Sequence, residues 1–161
     1  GDGEGDNDGQ NDASLVLLVR YGRVNILLAG DLAAAGEALF LRDGARLCPQ
    51  GVDLLKVPHH GSATSCSGSF LDRVRPRFAV VQVGPNPFGH PAPSVLKRLS
   101  RAGVTVYRTD QNGTVTFLTD GIRVWTRTER GGGGVLLPLS RPCGQPVPGR
   151  RVQALVKKST R

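Results

Sequence analysis

Aromatic side chains make up only 5% of the 161-residue chain, methionine is absent, and cysteine occurs three times, as Cys48, Cys66 and Cys143. An odd number of widely spaced cysteines gives no disulfide framework, and without a C-x-x-C pair there is no cysteine zinc knuckle. The three read as incidental thiols. No apolar run approaches the roughly 20 residues of a membrane-spanning helix, and Gly1-Asp2-Gly3-Glu4 lacks the basic-then-apolar order of a signal peptide. The expectation is a soluble piece with no signal or transmembrane segment, and its length suits one modest domain rather than two.

Charge is absent by sign at each end. Residues 1–12 hold five acids (Asp2, Glu4, Asp6, Asp8, Asp12) and no base, spaced by Gly and Asn, a composition that cannot bury enough apolar surface to fold. This is expected to be an acidic flexible loop or tail. From Gly131 onward there are six bases and no acid, with a four-glycine run and four prolines between Pro138 and Pro148. Residues 129–161 therefore read as a disordered basic tail, a solvated end rather than a nucleic-acid contact, since interleaved aromatics are missing. The folded part is expected over 13–128.

Within it, Leu and Val are gathered into blocks of strand length. Ser14–Val19 and Val24–Ala29, joined by Tyr21-Gly22-Arg23, have the pattern of a hairpin. A helix from Leu32 to Arg46, a strand over Val52–Val57 stopped by Pro58, and a short helix around Gly68–Val74 follow. Next come a strand over Arg77–Val83, a Gly/Pro-rich loop over Gly84–Pro93, a helix over Ser94–Ala102 and a strand over Val104–Tyr107. Strands alternate with helices, the mark of an α/β fold. The end differs: Asn112-Gly113 separates two β-rich runs and Asp120-Gly121 leads into Ile122–Trp125, which predicts a closing antiparallel meander.

In layered α/β folds ligands bind beyond the carboxyl ends of strands, where loops bring side chains together. Three polar clusters fall there: Asp31, His59-His60-Gly61-Ser62, and Gly89-His90-Pro91. They contain all three histidines of the chain, with one carboxylate able to share a cation with them, which suits zinc or manganese. Plainer roles exist for each. Asp31 could cap the following helix, the His-His pair could be a surface loop, and His90 and Asp110 could be turn residues. Lys56, Arg73 and Arg75 could guide a nucleic-acid backbone, though a solubilising role is simpler.

Five strings occur in order: Asn11–Leu17, Leu27-Leu28-Ala29-Gly30-Asp31, Asp53-Leu54-Leu55-Lys56-Val57-Pro58-His59-His60-Gly61-Ser62, Phe88-Gly89-His90-Pro91, and Val106–Gly113. Together they resemble the C-terminal half of the metallo-β-lactamase-like domain of ComEC-type DNA-uptake (competence) proteins, over about residues 11–120. The resemblance implies half of a four-layer αββα sandwich with a two-metal hydrolase site at one sheet edge. It implies that Asp31 bridges two divalent ions, zinc or manganese, and that His60 is a ligand, with His59 behind it or as an alternative ligand. By the same resemblance His90 faces the substrate phosphate or protonates a leaving oxygen, while Ser62 and Thr64 donate to a phosphate. DNA is the implied partner, together with the N-terminal half of the domain and a membrane channel domain. The implied parent lies in the bacterial cell membrane with its hydrolase domain outside the cytoplasm.

The family's first metal-binding string, His-x-His-x-Asp-His, has no counterpart among these residues. With three histidines the ligand set falls short of a binuclear centre. The expectation is a fragment of a metal-dependent nuclease, incomplete for catalysis by itself. The alternatives are a hydrolase of the same superfamily acting on a small ester or lactam, and a binding module that kept the fold and lost catalysis.

Overall fold

A computed structural model describes residues 14–44, 46, 51–131, 135–138 and 152–156, the last two segments as backbone. The acidic stretch 1–12, Cys48, Cys143 and most of the basic stretch lie outside them. Strands β1 (Leu17–Tyr21) and β2 (Val24–Leu28) form the expected antiparallel hairpin. Helix α1 (Ala34–Leu39) continues into a wider turn over Phe40–Gly44 and leads to β3 (Leu54–Lys56). Helix α2 (Gly68–Val74), strand β4 (Phe78–Val81), helix α3 (Pro93–Arg101) and strand β5 (Thr105–Arg108) then alternate. The first sheet has the order β1-β2-β3-β4-β5, with β2 to β5 parallel.

The period-two alternation of the strands divides the core into two layers. Leu27, Leu55 and Ala79, aligned across β2, β3 and β4, pack with Phe70, Leu71 and Val74 of α2 and Val95 and Leu99 of α3 on one face. Their neighbours Ile26, Leu54 and Phe78 point to the opposite face, against Val115, Phe117 and Val124 of a second sheet. That sheet is antiparallel, with β6 (Val115–Thr119) and β7 (Arg123–Thr128) at its centre. The Phe117 ring lies 6.2 Å from Phe78 and 5.7 Å from Tyr107, joining the sheets through aromatic contacts. The layers are thus helices, mixed sheet, antiparallel sheet: an α/β architecture with the expected mixture of strand directions.

The closing strands form the expected antiparallel meander, with β6 and β7 paired across Asp120-Gly121. The short helix α4 (Thr109–Asn112) carries the chain from β5 in the first sheet to β6 in the second, so the runs on either side are not paired with each other. Within the stretch read as a basic tail, strands β8 (Val135–Pro138) and β9 (Val152–Val156) pair with β7 and β6. These two apolar β-rich runs find open sheet edges, an interaction that the surrounding Gly and Pro composition conceals. Along the edge strand β1 and just before it, Leu15, Leu17 and Val19 are exposed. Among the described residues no helix is long and apolar enough to cross a membrane.

Candidate metal and phosphate site

Asp31, Lys56, His60 and His90 all follow from the same topological fact: β2, β3 and β4 run parallel and end at one edge of the sheet. Asp31 lies in the turn leaving β2. It does not cap α1, whose first position is preceded by Ala33 with no side-chain cap. Its amide instead donates to Ser14 Oγ at 3.1 Å, and its half-exposed carboxylate faces the loop after β3.

That loop is a tight turn over Pro58–Gly61, in which His59 and His60 both adopt left-handed backbone conformations at φ 44° and 51°. Non-glycine residues occupy this region only when surrounding contacts hold them there. The contacts are visible. His59 N–H donates to Gly30 O at 3.2 Å, tying the two loops together, and Ser62 N–H returns to His59 O at 2.9 Å. Gly61, at φ 82°, accepts a hydrogen bond at its carbonyl oxygen from Ala92 N–H at 2.8 Å, and a Cβ there would stand 2.8 Å from Pro91 Cβ. Gly61→Ala is therefore expected to destabilise the fold by about 1–3 kcal/mol through backbone strain and overpacking, read as a lower urea midpoint; an unchanged midpoint would contradict this.

His60 Nδ1 lies 2.7 Å from the Gln82 carbonyl oxygen. A carbonyl only accepts, so the imidazole proton sits on Nδ1 and the lone pair of Nε2 is left for another partner. Nε2 stands 3.8 Å from Asp31 Oδ1. This is too long for a hydrogen bond. It is close to the roughly 3.4 Å that separates two light-atom ligands of one tetrahedral zinc at ordinary bond lengths. A carboxylate oxygen and an imidazole nitrogen oriented by a carbonyl therefore fit two positions around a shared cation. They would supply two of the four positions of a tetrahedral sphere, and among the described residues no group of three or more His, Cys, Asp and Glu side chains is disposed to hold a metal.

Lys56 is the site residue whose role sequence reading missed. Its side chain is only 13% exposed, and Nζ donates to Gly30 O at 2.6 Å and lies 3.3 Å from Asp31 Oδ1. Burial lowers the pKa of this amine below its usual value, while Asp31 opposes that shift. A solubilising lysine would project into water. The available signal was its place as the last residue of β3, at the strand edge where the loops converge.

His90 reaches the site from the β4–α3 loop. Its ring packs edge-on against His59 at a centroid separation of 5.9 Å. Burial, with His59 and His60 nearby, keeps its pKa below the ordinary histidine value, favouring the neutral imidazole. The Nδ1 atoms of both His59 and His90 are buried without a hydrogen-bond partner. Ser62 and Thr64 are adjacent, with hydroxyls 2.9 Å apart; Ser62 is buried and Thr64 is exposed.

Behind the loop stand two charged residues that carry no motif. Glu37 of α1, 1% exposed, accepts from Ser67 N–H at 2.9 Å and from Cys66 N–H. Arg98 of α3 donates to the carbonyls of Ala63, Ser65 and Cys66 at 2.6–2.9 Å. Together they bind two amides and three carbonyls of the segment leading from the histidines to α2. Burial and the Glu37 charge push the Cys66 thiol well up, so it stays protonated and unreactive.

A scan against protein-family profiles found no match. Curated relatives do match. ComE operon protein 3 of Bacillus subtilis is 37% identical over 109 residues, 67% of this chain and 14% of that protein. Competence protein ComA of Neisseria gonorrhoeae is 39% identical over 113 residues, 69% of this chain and 16% of that protein. Recombination protein 2 of Haemophilus influenzae is 38% identical over 117 residues, 71% of this chain and 14% of that protein. The chain thus matches only about a seventh of the length of these relatives, and over some 70% of its own length it is a homologue of competence proteins of the ComEC family.

Proposed function

We propose that this chain supplies one half of the metal-dependent phosphodiesterase site of a ComEC-type DNA-uptake protein, with DNA as substrate. The observation that carries the reading is the Asp31–His60 pair: 3.8 Å apart, from loops 29 positions distant in sequence, with the imidazole already oriented by Gln82. The similarity to competence proteins supports the substrate class. In this reading Asp31 and His60 would hold zinc or manganese, with His59 as a neighbouring or alternative ligand. A divalent pair bound there supplies Lewis acidity toward a phosphodiester oxygen and toward water.

The chain's own residues do the rest. Lys56 fixes the Gly30–Asp31 turn, so that the carboxylate stays aimed at His60. Neutral His90 can offer a hydrogen bond to the substrate phosphate or, once it has taken the proton released by the attacking water, pass that proton to the leaving oxygen. Ser62 and Thr64 offer hydroxyl donors to a phosphate. The remaining ligands would come from the amino-terminal half of such a domain, so the isolated chain is expected to be inactive. In the parent protein the domain would lie outside the cytoplasm of a bacterial cell, beside a membrane channel.

The test is cleavage of end-labelled DNA with manganese, by the chain alone and supplemented with the amino-terminal half of a ComEC-type hydrolase domain. Cleavage is expected only in the supplemented sample, and is expected to disappear with a chelator. No cleavage in either sample would overturn the reading in favour of a non-catalytic module.

A further inference from the structure

We propose that Phe88 is a stacking platform for an unpaired nucleobase of the substrate strand, placed so that the base next to the reacting phosphodiester lies on its ring. The proposal rests on the phosphodiesterase reading above and adds a substrate feature to it: a single-stranded or locally opened segment at the site.

Phe88 is 76% exposed, and the other large exposed hydrophobics among the described residues are aliphatic: Leu15, Leu17 and Val19 in and beside β1, and Leu39 at the end of α1. Beside it the loop exposes only the small rings of Pro85 and Pro87, too little apolar surface to make a protein-docking patch. An isolated flat ring suits a single planar group better than a folded partner, whose interface would need a contiguous apolar centre.

The ring is also tied to the site. Phe88 stacks on His90 with centroids 5.8 Å apart and planes inclined by 29°. His90 in turn meets His59, the neighbour of His60. A row of three rings therefore runs from solvent to His59, the residue next to His60 in the chain.

Nor is the ring carried on slack backbone. Asn86 Oδ1 accepts from the Phe88 and His90 amides at 3.1 and 3.0 Å, and Asn86 Nδ2 donates to the Gly84 and His90 carbonyls, both at 2.9 Å. One side chain thus braces both ends of the tip. A rigid presented ring loses little entropy when a planar group settles on it. Polynucleotides are the phosphodiesters that carry such a group one sugar away from every phosphate, and the net charge of +8 favours a polyanion.

The test uses the purified chain in chelator, so that neither cleavage nor metal binding contributes. The probe is a short single strand carrying 2-aminopurine, whose fluorescence is quenched on stacking. Wild type and Phe88→Trp are expected to quench the probe. Phe88→Leu, which keeps apolar bulk but removes the flat ring, is expected to abolish quenching and weaken binding by roughly tenfold. A strand with abasic sites should bind wild type about as weakly as the normal strand binds Phe88→Leu. Unchanged quenching in Phe88→Leu, or none with wild type, would overturn the proposal. So would a Phe88→Leu change confined to self-association in sedimentation, which would assign the ring to a protein contact. The two readings fail separately: loss of the cation reading shows as no manganese binding with quenching intact, and loss of this one as no quenching with manganese binding intact.

Discussion

Asp31→Asn is expected to reduce the manganese affinity of the chain by about 100-fold or more, below detection in a calorimetric or spin-resonance titration. Removing a group that merely supports a ligand already weakens metal binding by roughly 10- to 100-fold, and here one of two donors is itself neutralised. The substitution preserves shape, so the amide of residue 31 can still donate to Ser14 Oγ. The turn after β2 should therefore persist, and the circular dichroism spectrum should not change. Equal affinity in the variant would remove Asp31 from the site.

Glu37→Ala is expected to destabilise the fold by about 3 kcal/mol, measured by urea unfolding. The buried amide of Cys66 and the partly buried amide of Ser67 would lose their acceptor, and Arg98 would lose a nearby opposite charge. Charge-assisted bonds of this kind contribute roughly 1.5–3 kcal/mol each, offset in part by the desolvation of the carboxylate. A change below about 0.5 kcal/mol, the ordinary level for surface positions, would contradict this role.

The same residue sets a pH dependence. Burial raises the Glu37 pKa above its usual 4.5, against the lowering effect of the Ser67 and Cys66 hydrogen bonds and of Arg98. A carboxyl that holds its proton more tightly when folded stabilises the fold fully below the unfolded value. That contribution is lost as pH rises through the higher folded value. Relative to Glu37→Gln, wild type should therefore lose stability as pH rises from about 4.5. Parallel stability curves for the two proteins would contradict the buried-carboxyl account.

Much of this architecture is legible in short-range pattern. The apolar blocks of β1 to β5 and the helices between them lie within a few residues of where the pattern puts them, because the central strands are buried on both faces and read as short continuous apolar runs bounded by turn residues. The site edge is legible for the same reason: three parallel strands end together, and polar residues follow each.

What pattern does not reveal is partnership. Whether Asp31 caps a helix or faces a histidine depends on where β3 ends relative to β2, a register fixed only in three dimensions. Lys56 reads as a solvated charge until its amine is seen on Gly30 O, 26 residues away. Glu37 and Arg98 act through contacts 29 to 35 residues distant, which leave no local signature. The strands Val135–Pro138 and Val152–Val156 are hidden by Gly and Pro composition, since only an open sheet edge makes such brief runs into strands.

The central claim is that one cation touches both Asp31 and His60. It is tested most directly by nuclear magnetic resonance of the chain carrying isotope-labelled histidine and aspartate, titrated with manganese. The expected result is paramagnetic broadening of the His60 Nε2 and Asp31 carboxyl signals at the same manganese concentration, before those of more distant labelled residues. Broadening of only one of the two, or of neither, would contradict the claim.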